Sequence, residues 1–288
     1  MRQQLLKDIS SFIAPRENHR EREKGVLVYP VYSRRSGGLS VGINLFPGKK
    51  YCPFDCPYCE VFPFSTNAVF SIEQMERDLR AAIAAAVGQN VPVKDICFSG
   101  NGEPTLSPAF GEALKVVSLV RAEMVPSAEL VVITNGAGLL REGLFSLLQN
   151  AAAGSPALNV WLKLDAGTPQ WYQKINRTKI PFEQLIAKIK EFAACAPVTI
   201  QAMICAVDGE SPPLEEARAW ETLVIELAAA ATGIRKIQMY GKARPAPEDP
   251  KAQALPVDFL EERAASLRRT LKAAHAGITI PLPPVEVY

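Results

Sequence analysis

Short apolar runs alternate with longer amphipathic stretches from residue 39 to residue 274. Leu39–Phe46 reads as a strand. Ser71–Val87 follows as a helix, with Ser71 placed to cap its N-terminus and Glu73 and Glu76 in the first turns, where the helix dipole favours carboxylates. Val93–Phe98 is a short apolar strand and Pro108–Arg121 an amphipathic helix. Glu129–Ile133 is a β-branched apolar strand that ends on the turn signal Thr134-Asn135-Gly136, and Leu139–Leu148 is the next helix. The alternation continues with a strand at Asn159–Leu164, a helix at Pro181–Ala194, a strand at Pro197–Ile204 and a helix at Pro213–Ala231. Ile234–Tyr240 is the sixth strand and Val257–Ala274 the last helix. Met1–Ile13 reads as a helix, Val26–Tyr32 as an extra strand, and the Pro-rich tail Pro281–Tyr288 as extended chain.

Six strand–helix units in series predict a parallel sheet with helical crossovers. Right-handed crossovers let such a sheet open into a doubly wound fold or curl toward a barrel. In both cases chemistry belongs at the C-terminal strand ends. The polar motifs fall there, after strands one, two, three, four and six.

Composition narrows the class. Hydrophobic residues are 48% and charged residues 22% of 288, as in a globular protein with a sizeable core. The net charge is +2, so no global field argues for nucleic acid. Residues 1–50 carry ten Lys/Arg against four Asp/Glu, a net of +6, which reads as a solvated basic surface. No secretory signal and no bilayer-length apolar run is visible, so a cytoplasmic protein without a membrane anchor is expected. Six cysteines, three of them within eight positions, do not resemble a disulfide framework and point to a metal or redox role.

Those three are Cys52, Cys56 and Cys59, spaced C-x3-C-x2-C in a loop rich in Pro and aromatics. Soft thiolates select zinc or iron–sulfur. A structural zinc site and an ordinary ferredoxin cluster each need four protein ligands. No fourth cysteine is near, and the only histidines, His19 and His275, are remote in sequence. Three ligands suggest a cluster with one iron left open, as a catalytic centre requires; zinc with a distant fourth ligand stays open as the alternative.

This loop after the first strand, with the aromatic Tyr58 before the last cysteine, resembles the signature of the radical S-adenosylmethionine (SAM) superfamily. The resemblance implies a partial (β/α)6 TIM-like barrel at residues 38–288, behind an N-terminal extension at residues 1–37. It implies a [4Fe–4S] cluster on Cys52, Cys56 and Cys59, S-adenosyl-L-methionine as cofactor, and a 5′-deoxyadenosyl radical that takes hydrogen from a substrate. Tyr58 would then lie against the adenine. Ser99–Thr105 resembles the family's Gly-Gly-Glu-Pro segment, which binds the methionyl amine, through Gly102, Glu103 and Pro104, with Asn101 in place of the first glycine. In related proteins the end of strand four helps hold the ribose, which makes Asp165 a cofactor residue, and Asn135 is either a cofactor contact or only a turn. Lys163 shares a side of strand four with Asp165. Gln201 is a weaker candidate, and Arg244 in the loop after strand six reads as an anion clamp. Cys97, Cys195 and Cys205 read as structural, with Cys205 at the end of strand five open to a second reading as a hydrogen-atom donor facing the cavity.

Gly42-Ile43-Asn44-Leu45, Lys163-Leu164-Asp165 and Ile175-Asn176-Arg177 look like the wybutosine-related branch of Fe–S oxidoreductases, which includes a tRNA-modifying enzyme. This chain lacks that enzyme's additional cysteine set. The substrate stays open among RNA, a small molecule and a protein, with a reductant such as flavodoxin or ferredoxin as partner. The competing readings are a glycyl-radical-type activase of a protein partner and a non-catalytic Fe–S or zinc protein.

Overall fold

The computed structural model describes residues 25–230, 232–274 and 281–288. The helix expected at Met1–Ile13, and both histidines, lie outside these residues. The chain divides into two compact units. The first holds the described residues up to Cys52, together with Val61–Ile133 and Gly154–Asn159; the second holds Pro53–Glu60, Thr134–Ala153 and the described part of Val160–Tyr288.

In the first unit, β1 (Val28–Ser33) runs antiparallel to β2 (Gly38–Asn44), which pairs in parallel with β3 (Val93–Ser99). β3 pairs in parallel with β4 (Glu129–Thr134) through Asp95–Phe98. All seven residues of β2 are buried, as a strand covered on both faces should be. Gly42 has no alternative there, because a Cβ would stand 2.3 Å from the Tyr29 ring that crosses it. Helix α1 (Ile72–Gly88) starts as expected: Ser71 Oγ accepts from Gln74 N at 3.2 Å. Its buried face is Met75, Leu79, Ala82, Ile83 and Ala86, a helical stripe. Helix α2 (Phe110–Met124) buries Phe110, Ala113, Leu114, Val117 and Val120.

In the second unit, β5 (Leu158–Lys163, in this unit from Val160 on), β6 (Val198–Ile204), β8 (Ile234–Gly241) and β10 (Val285–Val287) pair in parallel in that order. Two-residue strands β7 (Ala206–Val207) and β9 (Ala252–Gln253) form a separate antiparallel pair. The helices are α3 (Glu142–Ala153), α4 (Pro169–Ile175), α5 (Phe182–Cys195), α6 (Leu214–Ala228) and α7 (Val257–Ala274). Each of β2, β3, β4, β5, β6 and β8 is therefore followed by helix, giving the six βα repeats of a partial (β/α)6 barrel. The α/β class and parallel pairing follow the sequence pattern.

Four details differ from it. The helix expected at Leu139–Leu148 is split: Gly136 at φ 82 throws the chain into a 3-10 turn at Ala137–Leu140, and α3 starts at Glu142. Helix α4 was not expected, although Thr168 Oγ accepts from Trp171 N at 3.2 Å and Pro169 opens the first turn. Helix α6 ends at Ala228 rather than Ala231. The Pro-rich tail is not merely extended. It returns beside β8, where Ile237 N donates to Pro284 O at 2.9 Å and Tyr288 N to Met239 O at 2.9 Å.

Candidate functional site

In the first unit, β3 runs out at Ser99 and the chain turns through Gly100–Glu103 into a 3-10 turn at Pro104–Leu106. Glu103 caps that turn: its Oε1 accepts from Thr105 N at 3.2 Å and from Thr105 Oγ1 at 2.6 Å. Asn101, standing where the resemblance expects glycine, stitches the turn to the end of β2. Its backbone N donates to Asn44 Oδ1 at 3.2 Å and its Nδ2 to Phe46 O at 3.4 Å. Tyr51 lies on the same turn, donating from N to Asn101 O at 3.1 Å and accepting at O from Glu103 N at 2.8 Å. That contact needs Gly102, where a Cβ would fall 2.1 Å from Tyr51 O. Tyr51 directly precedes Cys52, so the Gly102 turn fixes the chain's entry into the cysteine loop.

In the second unit, Cys56, Tyr58 and Cys59 follow, and Cys59 N donates to Cys56 O at 2.9 Å. Tyr58 is buried, and its hydroxyl donates to Asp165 Oδ2. Asp165, just past the end of β5, is a hub. Its Oδ2 also accepts from Asn176 Nδ2 at 3.0 Å, and its Oδ1 accepts from Met203 N at 2.9 Å. Lys163 Nζ stands 3.5 Å from Oδ1 and donates to Tyr240 Oη at 2.6 Å. The ammonium lies over two rings, 4.9 Å from the Tyr58 centroid and 5.2 Å from that of Tyr240. Asn176 closes the arrangement: Nδ2 also donates to Cys56 Sγ at 3.5 Å, and its backbone O accepts from Asp55 N at 3.0 Å.

The charges follow from this packing. Burial pushes the Cys56 thiol up to about 11, with the Asp165 charge adding to the rise and the Asn176 N–H opposing it. Burial, then Asp165, raises the Tyr58 hydroxyl well above its usual value. Burial alone would lower Lys163, but Asp165 and then Tyr240 outweigh it, and the ammonium is held above the ordinary lysine range.

Other candidates have settings of their own. Asn135 Oδ1 accepts from Ala137 N at 2.9 Å and Thr134 Oγ1 from Gly136 N at 3.1 Å, so this segment closes on itself as a turn. Gln201 Nε2 donates to Gln238 Oε1 at 2.7 Å in a fully buried pair. Arg244 pairs with Glu60 at 2.9 Å, so its anion is a carboxylate of this chain, on the residue after Cys59. Cys195 donates to the carbonyls of Glu191 and Phe192 on its own helix, at 3.4 and 3.3 Å. Cys97 and Cys205 are buried, and burial raises both thiols, Cys205 to about 12. Sequence reasoning missed Tyr240 and Met203 N, which act across long sequence separations; it singled out Ile175-Asn176-Arg177 as a motif but not the bonds of the Asn176 side chain to Cys56 and Asp165.

None of the six cysteines is in a disulfide. Among the described residues no three Cys, His, Asp or Glu side chains are already drawn together around one metal position. The donor chemistry nevertheless fits an iron–sulfur cluster. Three soft ligands come from one short loop, and Cys56 Sγ receives an N–H, which suits a cluster thiolate.

A family model described as the radical SAM superfamily matches residues 48–220, which is more than half of the chain and includes the cysteine loop. The chain belongs to the radical SAM superfamily. That family implies S-adenosylmethionine as cofactor. A UPF0026 protein of Helicobacter pylori J99 is 30% identical over 113 residues, 37% of this chain and 33% of that protein. A UPF0026 protein of Synechocystis is 30% identical over 186 residues, 61% of this chain and 63% of that protein. The chain thus spans about a third of the first relative's length and under two thirds of the second's. Among solved structures, a radical SAM methyltransferase from Sphaerobacter thermophilus is similar at TM-score 0.63 and 15% identity, over 90% of this chain and 69% of that one. Streptococcus suis SuiB bound to S-adenosylmethionine is similar at TM-score 0.60 and 15% identity, over 83% and 48%. TYW1 with a lysine-pyruvate adduct reaches 0.52 at 15% identity, over 81% and 73%. At these identities the likeness is one of fold.

Proposed function

We propose that residues 38–288 form a catalytic domain in which Cys52, Cys56 and Cys59 hold a [4Fe–4S] cluster with one iron open to S-adenosylmethionine. When bound, that pair supplies a 5′-deoxyadenosyl radical that takes a hydrogen atom from the substrate. The observation that carries the reading is the C-x3-C-x2-C loop inside the matched family segment, entered from Tyr51 on the Gly102 turn.

The protein's own part is binding and orientation. Gly102, Glu103 and Pro104 form the cofactor's amine-binding turn, where backbone carbonyls and the carboxylate accept from an ammonium. Asp165 and Asn135 line the nucleoside side. Tyr58 backs the adenine, held in place by its bond to Asp165. A one-electron donor such as flavodoxin or ferredoxin reduces the cluster. Among the described residues no helix is long and apolar enough to cross a membrane. RNA is retained as a substrate class on the wybutosine-branch resemblance.

The test uses anaerobically reconstituted protein, reduced with dithionite and mixed with S-adenosylmethionine. Formation of 5′-deoxyadenosine supports the enzyme reading. A tightly bound zinc, or a cluster that never cleaves the cofactor, would put the structural or electron-transfer reading in its place. A stable complex with a large protein partner that gains a glycyl radical would select the activase.

A further inference from the structure

The end of the short helix α4 is committed to the cysteine loop in a way the cofactor reading does not require. Asn176, the residue that ends α4, is 3% exposed. Its amide nitrogen has two hydrogens and no acceptor capacity. One is donated to Asp165 Oδ2 at 3.0 Å and the other to Cys56 Sγ at 3.5 Å. A carboxylate accepts only, so Asp165 fixes which way the amide faces and aims the second N–H at sulfur. The backbone adds to this aim. Asn176 N donates to Tyr172 O at 2.9 Å, and Asn176 O accepts from Asp55 N, one residue before Cys56, at 3.0 Å. The helix that presents Asn176 is anchored at its other end, where Glu216 accepts from Gly167 N at 2.5 Å and from the Thr168 hydroxyl.

We infer that Asn176 is a positioning residue which, oriented by Asp165, donates an N–H to the Cys56 ligand sulfur and thereby raises the reduction potential of the cluster. The physical basis is general. A hydrogen bond to a ligand thiolate withdraws charge from it and stabilises the reduced cluster, which carries one more electron. The carboxylate–amide–sulfur order parallels the carboxylate–histidine–metal order by which outer residues fix the orientation of metal ligands. The inference rests on the cluster reading given above and adds a residue to it.

The test compares wild type with Asn176→Leu, which keeps the size of the side chain and removes both donors. Glu248→Gln serves as control, since it loosens the 2.6 Å Arg177–Glu248 pair beside Asn176 without touching sulfur. Each protein is reconstituted anaerobically and assayed for iron, and its cluster is titrated against potential by electron paramagnetic resonance. At the potential where half the wild-type clusters are reduced, Asn176→Leu with a full iron count should show a reduced-to-oxidised ratio about tenfold lower, equivalent to about 59 mV for a one-electron couple. Glu248→Gln should titrate as wild type. In the reduced wild-type cluster, electron–nuclear double resonance should show an exchangeable proton coupling that Asn176→Leu lacks. An unchanged ratio at full iron content overturns the inference. Should Asn176→Leu bind no iron, the wild-type proton coupling decides alone, and its absence overturns the inference. Wild type that binds no cluster at all overturns the cluster reading first, and this inference with it.

Discussion

Two buried carboxylates stand just past strand ends, and they are used in opposite ways. Glu103, after β3, turns Oε1 onto Thr105, two residues away. Asp165, after β5, takes hydrogen bonds from Tyr58, Asn176 and Met203 N and stands 3.5 Å from Lys163 Nζ. The first shapes a turn. The second ties the cysteine loop, β5, β6 and the end of α4 to one point. The difference is one of sequence distance: the Glu103 Oε1 bonds reach Thr105, two residues on, whereas the Tyr58–Asp165 bond spans 107.

Removing the hub should cost most. Asp165→Ala leaves the half-buried Lys163 ammonium without its carboxylate and the Tyr58, Asn176 and Met203 donors without this acceptor, a loss of about 3–5 kcal/mol. Urea unfolding of the metal-free protein reads it, and a loss under about 1 kcal/mol would show that the hub is not stabilising. Gly102→Ala comes next. Its Cβ would meet Tyr51 O at 2.1 Å, so the turn must open, at about 1–3 kcal/mol. After anaerobic reconstitution the same variant should also retain less iron than wild type, because Tyr51 leads into Cys52. Glu103→Ala removes the cap on Thr105, a loss of about 1 kcal/mol. A loss equal to that of Asp165→Ala would erase the contrast between the two carboxylates.

A third carboxylate sharpens the contrast further. Asp95 Oδ1 accepts from Ser40 Oγ at 2.5 Å, while Oδ2 is buried with no partner. Burial raises its pKa; Ser36, Ser40 and Arg35 oppose the rise and Glu129 adds to it. Folded protein therefore holds this proton more tightly than unfolded chain. The stabilisation is full below pH 3.8, the unfolded value, and is lost as pH rises through the raised folded value. Wild type should lose stability relative to Asp95→Asn as pH climbs from 3.5 to 7, the smallest of these effects. Parallel pH profiles would contradict it.

The same split decides how much was legible in the sequence. Local signals read well: Ser71 caps α1 as its position predicts, and α7 runs Val257–Ala274 as the pattern predicts. The Cys loop announces itself by spacing, and Asp165 by a charge at a buried strand end. Helix α4 had a usable signal in Thr168-Pro169 and was still missed, because seven residues are too few for a periodic pattern. Tail strand β10 was hidden by the prolines just before it, of which Pro284 takes part through its carbonyl alone. Nothing local marks Asn176 as the donor to Cys56, 120 positions away, or Tyr240 as the partner of Lys163, 77 positions away.

The most direct test of the account replaces each of the six cysteines in turn with alanine and measures iron and 5′-deoxyadenosine after anaerobic reconstitution. The account predicts that Cys52→Ala, Cys56→Ala and Cys59→Ala each lose the cluster and the product, while Cys97→Ala, Cys195→Ala and Cys205→Ala keep both. Loss of metal on replacing any of the latter three would identify a fourth protein ligand and contradict an open iron.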